Sequence, residues 1–483
     1  MKNFPKITIR ILIVITTFAL VLCIQPPRMI ASTVKAYDQI SFPPLPEIKL
    51  PEYERYQLDN GIIVYLIEDH DLPLVKGTAV IKTGSRWENP DKVGLASLTG
   101  TVLRSGGTTK HSSAQINEIL EQKAASIETS ISKTLGTANF DTLTADLNSV
   151  FELFAEILRY PAFEPAKVAL AINQTKGAIA RRNDNPGDIA SREFKKVIYG
   201  KDSPYARTVE YETLANIQRN DLINFYQKYF QPENIILGII GDFQPAEMKT
   251  LISNTLGNWQ TTEKTDNLTI PTASQVTKKS VFVVDRPQLT QSNILMGHID
   301  GKLNSPDYPA LSVLNGVLNG YGGRLFNRIR SKEGLAYSVY GVWNPGYDYP
   351  GLFQAGGQTR SEATVPFIQS ITQEITKLRN EAITPKELAY AKESILNSFV
   401  FNFQSPQQTL SRLLRYEYFN YPENFIFDYQ KAVKNTTIAD VQRVAQEYLQ
   451  PDNLVTLVVG NTKQIQPTLD NLGEPVTNWE INN

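Results

Sequence analysis

Cysteine and histidine are scarce in this chain of 483 residues, which contains one cysteine and three histidines. The cysteine, Cys23, lies in an apolar run near the N-terminus, so the sequence offers no disulfide framework and no thiolate metal site. His70, His111 and His298 are widely separated, and no two of them have a spacing that chelates a metal from one helix. The scarcity leaves open only an atypical metal site that gathers carboxylates.

An excess of charge of either sign is also missing. Lysine and arginine total 48 against 49 aspartates and glutamates, which gives a net charge of −1. This balance provides no argument for nucleic acid as a partner. The hydrophobic fraction of 41% is that of a globular protein. Because domains usually contain ~100–200 residues, the length predicts two to four of them.

The N-terminus has the pattern of a targeting segment. Three basic residues precede the apolar run 11–24, which is shorter than the ~20 residues of a membrane-spanning helix. We interpret residues 1–36 as a signal peptide or a retained N-terminal anchor, and we expect an exported protein that is periplasmic or anchored facing the periplasm or exterior. The continuous run argues against a buried helix. Leu22 argues against lipid attachment at Cys23, since that modification needs a small residue before the cysteine.

The chain contains an internal repeat. Segment 229–241 begins Tyr-Phe-Gln-Pro-Glu-Asn, segment 448–460 begins Tyr-Leu-Gln-Pro-Asp-Asn, and both end on a glycine in register. An asparagine and an aspartate precede each copy, at the same distances from its first residue in both. The repeat predicts two homologous halves, each with a helix, a Pro-Asn turn and an apolar strand.

Each half begins with strand patterns and continues with helical ones. Asn60-Gly61 stands between two apolar strand patterns and predicts a hairpin turn. We predict an α+β fold in which each half is an antiparallel sheet with helices packed mainly on one face, the two arranged as a clam-like pair. The predicted divisions are a first domain at 50–258, a linker at 259–279, a second domain at 280–465 and a polar, partly ordered tail at 466–483.

Several short motifs occur in order between residues 51 and 461. They are Leu58-Asp59-Asn60-Gly61, Gly84-Ser85-Arg86-Trp87-Glu88, Gly94-Leu95-Ala96, Asn185-Pro186, Tyr199-Gly200 with Ser203-Pro204-Tyr205, and Gly334-Leu335-Ala336-Tyr337-Ser338. Together they resemble the insulinase/pitrilysin-type (inverzincin) zinc metallopeptidases, in particular the two-halved branch that includes mitochondrial-processing-peptidase-like proteins.

In active members of that family, a helix carries His-x-x-Glu-His. The two histidines bind zinc, the glutamate between them activates the zinc-bound water, and a later helix supplies a third ligand, also glutamate. The motif positions fall here on Ser97, Gly100 and Thr101, and the later glutamate falls near Gly177-Ala178. None of these residues is a good zinc ligand or a general base. The resemblance therefore implies a degenerate site and no metal bound by this chain.

The segment from Arg330 to Tyr337 resembles the part of the family that faces the zinc site and contacts substrate near the scissile bond. Arginine offers a rigid fork of donors, and a tyrosine hydroxyl can donate to an oxyanion. Gly334 is expected to end the helix carrying Arg330 and lead into the strand carrying Tyr337. The alternative is a surface arginine and a core tyrosine spaced this way by chance.

The preceding Gly320-Tyr321-Gly322-Gly323-Arg324 lacks the Gly-Lys-Ser/Thr ending of a phosphate loop. It is either a flexible turn before a helix or a loop that contacts substrate.

The resemblance implies a non-catalytic subunit of a heterodimeric zinc metallopeptidase, with zinc supplied by a homologous partner subunit. This chain would help to bind unfolded peptides at a sheet edge, with Arg330 and Tyr337 as substrate-binding residues. Two alternatives remain: a scaffold or binding protein of the same fold with no role in proteolysis, and a peptidase with atypical metal ligands. The sequence identifies neither the substrate nor the partner.

Overall fold

The structure is a computed structural model that describes residues 48, 50–261 and 268–482. The predicted export signal, residues 1–36, lies outside this range. In the described part the chain forms two six-stranded sheets, one from each half of the sequence. No helix among the described residues combines the length and apolar character needed to cross a membrane.

The first sheet has the strand order β1-β2-β6-β3-β5-β4. Strands β2 and β6 run parallel, and the other neighbouring pairs are antiparallel. Gly61 has a φ of +98° and completes the predicted Asn60-Gly61 turn between β1 and β2. The strands are β1 (Glu54–Gln57), β2 (Ile63–Glu68), β3 (Leu74–Ile81), β4 (Ser126–Ile131), β5 (Gly136–Leu143) and β6 (Ile235–Gly241).

Eight α-helices accompany this sheet in the described part of the first half. Several begin with a proline in the first turn, where its fixed φ and missing N–H cost nothing. They are α1 (Leu95–Ser105), α2 (Ser113–Gln122), α3 (Leu147–Arg159), α4 (Pro165–Arg181), α5 (Pro186–Tyr199), α6 (Tyr211–Ala215), α7 (Arg219–Tyr229) and α8 (Pro245–Leu256).

The second half repeats this arrangement with the strand order β12-β7-β11-β8-β10-β9. Its strands are β7 (Ser280–Asp285), β8 (Gln291–Ile299), β9 (Ala336–Asn344), β10 (Leu352–Arg360), β11 (Val455–Gly460) and β12 (Val476–Asn478). Its α-helices are α9 (Tyr308–Leu318), α10 (Thr364–Asn380), α11 (Pro385–Ser398), α12 (Pro406–Phe419), α13 (Phe425–Asn435) and α14 (Ile438–Tyr448), with a π-helix at Phe326–Lys332.

The topology confirms the α+β class and the duplication. Strands β7, β11, β8, β10 and β9 occupy the positions that β2, β6, β3, β5 and β4 occupy in the first sheet. The sheets are mixed rather than antiparallel throughout, because the last long strand of each half returns parallel to its first long strand. A parallel return needs a long crossover, and nearly all of each half provides it.

The sixth strand of the second sheet comes from the C-terminal tail. Strand β12 pairs in parallel with β7, and Trp479 packs edge-on against Phe282, with ring centroids 5.4 Å apart. The Trp479 indole also donates to Glu193 of α5 at 3.0 Å. The prediction that the tail is only partly ordered is wrong, because its few apolar residues are placed where they pack.

The segment predicted as a linker is extended and fixed to both halves in its described part. The Trp87 indole donates to the Thr269 carbonyl at 2.9 Å, and the Tyr205 hydroxyl donates to the Pro271 carbonyl at 2.7 Å. Further along, Val276 N–H donates to the Ile198 carbonyl at 2.9 Å. In the second half, the Ile299 N–H donates to the side-chain oxygen of Gln275 at 2.9 Å, so the segment is held by both halves.

Each sheet is covered on one face by helices of its own half and on the other by a helix of the other half. In β6, Leu237 and Ile239 face the first core, whereas Ile236 and Ile240 pack with α12 of the second half. This alternation is the two-residue period of a strand. In the second sheet the reciprocal cover is α5 of the first half, which packs on β8 and β11. The two halves are therefore interlocked.

Candidate functional site

The helix at the degenerate motif, α1, is fixed at its N-terminus by Glu88. The Glu88 carboxyl accepts the N–H of Ala96 at 2.5 Å and that of Gly94 at 3.3 Å. A carboxylate in this position accepts hydrogen bonds from the free N–H groups of the first turn, and its negative charge interacts favourably with the helix dipole. Burial nevertheless raises the pKa of Glu88 to about 7. The Gly84–Glu88 motif thus positions the helix that follows it.

The three motif residues have different surroundings on α1. Ser97 and Thr101 are exposed, and Gly100 is buried against the edge strand β4. A Cβ at residue 100 would lie 2.8 Å from the carbonyl carbon of Ser130 and closer still to the backbone nitrogen of Ile131. The Thr129 hydroxyl, also on β4, donates to the Gly100 carbonyl at 2.6 Å. The position to which the resemblance assigns the general base is therefore closed by the backbone of β4.

The second part of the degenerate site lies on α4, which packs against α1. Gly177 and Ala178 are on this helix, and only the end of the Arg181 side chain is near a Cβ placed at residue 177. The structure thus brings together the two helices to which the resemblance assigns zinc ligands. Their side chains here do not fit zinc, since none offers imidazole, thiolate or carboxylate.

The three histidines do not replace these ligands. His70 lies in the loop after β2 and bridges Glu68 and Asp242, at 2.6 Å from each. His111 lies 2.9 Å from Glu156. His298 is fully buried near the end of β8, where its Nε2 accepts the N–H of Gln450 at 3.3 Å. Among the described residues, no group of three or more potential ligands is placed to hold a metal ion.

The structure brings Arg330 and Tyr337 together. The guanidinium carbon of Arg330 lies 5.4 Å from the centre of the Tyr337 ring, within range of a cation–π interaction. Arg330 is exposed on the π-helix, and Tyr337 is 76% exposed at the start of β9. Gly334, with a φ of +63°, ends the helix between them as predicted. The alternative of a core tyrosine does not hold, because Tyr337 is on the surface.

Ion pairs hold the π-helix in place. Arg328 lies 2.9 Å from Glu333 and 3.2 Å from the buried Glu374 of α10. Arg324 lies 2.6 Å from Glu387 of α11. Burial alone would raise the pKa of Glu387, but hydrogen bonds from Arg324 and Thr384 outweigh it and lower the pKa to about 2. These pairs anchor the residues flanking Arg330 and leave Arg330 itself on the surface.

One aromatic residue beside Arg330, Phe326, did not stand out from the sequence. The Arg330 guanidinium carbon lies 5.0 Å from the Phe326 ring centre, and Phe326 contacts Tyr321 edge-on at 5.1 Å. The i, i+4 spacing of Phe326 and Arg330 was the available signal, because residues so spaced share one side of a helix.

Comparison with known proteins agrees with this architecture. Residues 64–209 match the family model described as insulinase (peptidase family M16), and residues 216–395 match the model described as peptidase M16 inactive domain. An uncharacterized zinc protease, YmxG, from Bacillus subtilis is 25% identical over 74% of this chain and 86% of its own length. A non-peptidase homolog, also named YmxG, from Helicobacter pylori is 22% identical over 82% of this chain and 91% of its own length.

Solved structures share the fold. A peptidase M16 inactive domain from Pseudomonas fluorescens has a TM-score of 0.77 at 22% identity, covering 86% of this chain and 100% of its own. The periplasmic protease PqqL from Escherichia coli has a TM-score of 0.73 at 16% identity, covering 88% of this chain and 48% of its own. Two models of one family match successive parts of the sequence, and solved structures share the two-sheet architecture, so the chain belongs to the insulinase family, peptidase family M16.

Proposed function

We propose that this chain is the non-catalytic subunit of a heterodimeric zinc metallopeptidase. A homologous partner subunit would supply zinc and the general base, and this chain would supply Arg330 and Tyr337. The two subunits would enclose an unfolded peptide, and both would act after export from the cytoplasm. The observation that carries the proposal is a contrast within one molecule: the position of the base is closed by β4, whereas Arg330 and Tyr337 are paired and exposed.

The chemistry of the pair supports this assignment. Arg330 can donate hydrogen bonds to a peptide carbonyl oxygen, or two parallel hydrogen bonds to a carboxylate. The Tyr337 hydroxyl can donate to the oxyanion that forms when water attacks a peptide carbonyl. Neither group supplies the attacking water, so the pair needs a partner to complete a peptidase.

The test is peptide cleavage by a purified partner that has an intact His-x-x-Glu-His motif. We expect cleavage to require both chains and this chain alone to cleave nothing. Arg330→Ala should lower kcat/KM of the complex by roughly 10-fold or more, and Tyr337→Phe should lower kcat by roughly 10-fold, as expected for a lost oxyanion donor. Arg443→Ala, at a half-exposed arginine on α14, is the matched control.

The alternatives give different results in the same assay. A scaffold would form the complex, but the rate would not depend on Arg330 or Tyr337. A peptidase with atypical ligands would cleave without the partner and would retain stoichiometric zinc after dialysis. Either result would overturn the proposal.

A further inference from the structure

The side chains of Tyr321, Phe326, Arg330 and Tyr337 form a continuous row on the surface of the second half, which we call the aromatic ladder. Each contacts the next at ring-centre or guanidinium distances of 5.1, 5.0 and 5.4 Å in turn. Its two ends are the most exposed large hydrophobic residues of the described chain, with Tyr321 at 83% and Tyr337 at 76%. Exposed aromatic rings in contact with one another are a common feature of binding surfaces.

The glycine-rich segment presents Tyr321 from a fixed position. Gly320 has a φ of +78°, which favours glycine, and Gly322 N–H donates to the Tyr390 hydroxyl at 3.1 Å. A Cβ on Gly322 would lie 2.6 Å from the Tyr390 ring, so the backbone packs directly on that ring. This close packing argues against a free turn and holds Tyr321 at one place on the surface.

The charge around the ladder is positive, and the charge of Arg330 is not compensated by a carboxylate of the described chain. The neighbouring carboxylates Glu333, Glu374 and Glu387 are already paired with Arg324 and Arg328. Arg330 has no ion pair within the described residues, and its guanidinium carbon lies 5.0 Å from the ring centre of Phe326 and 5.4 Å from that of Tyr337. Its donors are therefore available to an anion from outside the chain, and a carboxylate is the complementary group.

We propose that the aromatic ladder selects peptides in which a carboxylate lies near an aromatic or large aliphatic side chain. The carboxylate pairs with Arg330, and the apolar side chain packs on Tyr321 and Phe326. This specificity rests on the proposed function, since it places the bound peptide at the Arg330–Tyr337 pair. It adds the class of substrate, an acidic and aromatic peptide segment, and two specificity residues, Tyr321 and Phe326.

The test measures the affinity of the full chain, without any partner, for three fluorescent decapeptides on one Gly/Ser background. The first contains Phe and Glu two positions apart, the second Phe and Gln, and the third Ala and Glu. Fluorescence anisotropy should give the lowest Kd for the first, with about a threefold to fivefold loss for each of the others. Added salt should weaken the first and third peptides more than the second, because it screens the carboxylate.

Variants of the chain assign these differences to particular residues. Arg330→Gln should remove the preference for Glu over Gln, and Tyr321→Ala should remove the preference for Phe over Ala. Both side chains are exposed, so melting temperatures should stay those of the parent. Tyr211→Ala and Arg443→Gln, at exposed sites elsewhere, are the matched controls and should keep both preferences. Equal affinities for the three peptides, or preferences that survive in the variants, would overturn the proposal.

Two further outcomes separate this proposal from others. A single-stranded oligonucleotide that binds more tightly than every peptide and loses affinity in Arg330→Gln would assign the ladder to nucleic acid instead. The cleavage assay with the partner gives a result that does not depend on these binding measurements. If the chain binds peptides selectively but Arg330 has no effect on the partner's rate of cleavage, only the subunit proposal is refuted. If the rate depends on Arg330 but not on the peptide sequence, only the proposed specificity is refuted.

Discussion

At Gly100 the catalytic side chain is missing, and the space that it would need is also filled by the backbone of β4. A glutamate in an active relative needs space beyond its Cβ, and at Gly100 even the Cβ meets the backbone of β4. Ser97 and Thr101 are exposed on the same helix and have no such restraint. The sequence revealed that the three functional side chains are missing. It could not reveal that β4 lies against Gly100, because that contact depends on how tightly a helix packs on a strand.

Gly100→Ala should destabilise the protein. Alanine gains about 0.5–1 kcal/mol over glycine in a helix interior, but the overpacking against β4 costs roughly 1–3 kcal/mol or more, so a net loss is expected in urea unfolding. Ser97→Ala and Thr101→Ala are the controls and should stay within about 0.5 kcal/mol of the parent. A Gly100→Ala protein more stable than the parent would contradict the close packing.

His298 should make the stability depend on pH. Burial lowers its pKa to about 4 from the ordinary 6.5, so the folded state holds the neutral ring. An unfolded chain takes up the proton below pH 6.5. The stabilisation is therefore present above pH 6.5 and is lost as the pH falls towards 4, by an amount of order 3 kcal/mol.

The measurement is the free energy of unfolding of the parent and of His298→Gln between pH 4 and 7. Glutamine can still accept from Gln450 N–H but has no proton to take up in this range. The advantage of the parent over the variant should shrink as the pH falls. A difference that stays constant across the range would refute the role given to His298.

At the scale of elements, the order of secondary structure around Arg330 could be predicted, but the π-helical form of the helix and its ion pairs could not. A helix, a glycine at its end and a strand follow from local patterns, and all three are present. The π-helical hydrogen bond from Glu333 N–H to the Arg328 carbonyl accompanies ion pairs to α10 and α11, which are distant in the sequence. Local propensity contains no information on such pairs. The prediction for the C-terminal tail was wrong for the same reason, because strand β12 forms only by pairing with β7, which is distant in the sequence.

Trp479 should contribute to stability although it follows a polar segment. Trp479→Ala removes the contact with Phe282 and the hydrogen bond to Glu193, and roughly 2–3 kcal/mol of stability should be lost. Trp479→Phe keeps a ring and should lose less. Asn478→Ala, at an exposed neighbour, is the control. If denaturant midpoints of all three variants match the parent, the tail does not stabilise the fold.

At the scale of the whole molecule, the internal repeat predicted two similar halves but not their interlocking. The periodicity of α5 and α12 marks an apolar side on each helix, and it does not say which sheet that side covers. In the structure, Leu410 and Leu414 of α12 lie on the first sheet, where Gly238 leaves room for them. Arg86 of the first half lies 2.7 Å from Asp348 of the second, and this pair is largely buried.

The interlock predicts that the two halves fold as one unit. Residues 50–258 alone lack α12 and would expose Tyr65, Ile67 and Ile236, which α12 covers in the full chain. Residues 280–483 alone lack α5 and would expose the matching face of the second sheet. Because apolar burial contributes about 25 cal/mol per Å², losing a whole helix from a sheet face should leave each fragment unfolded or aggregated.

The full chain should melt in one calorimetric transition, and co-expressed fragments should assemble into a soluble complex. Two separate transitions, or one fragment with sharp near-UV circular dichroism on its own, would mean that the exchanged helices do not bind the halves together.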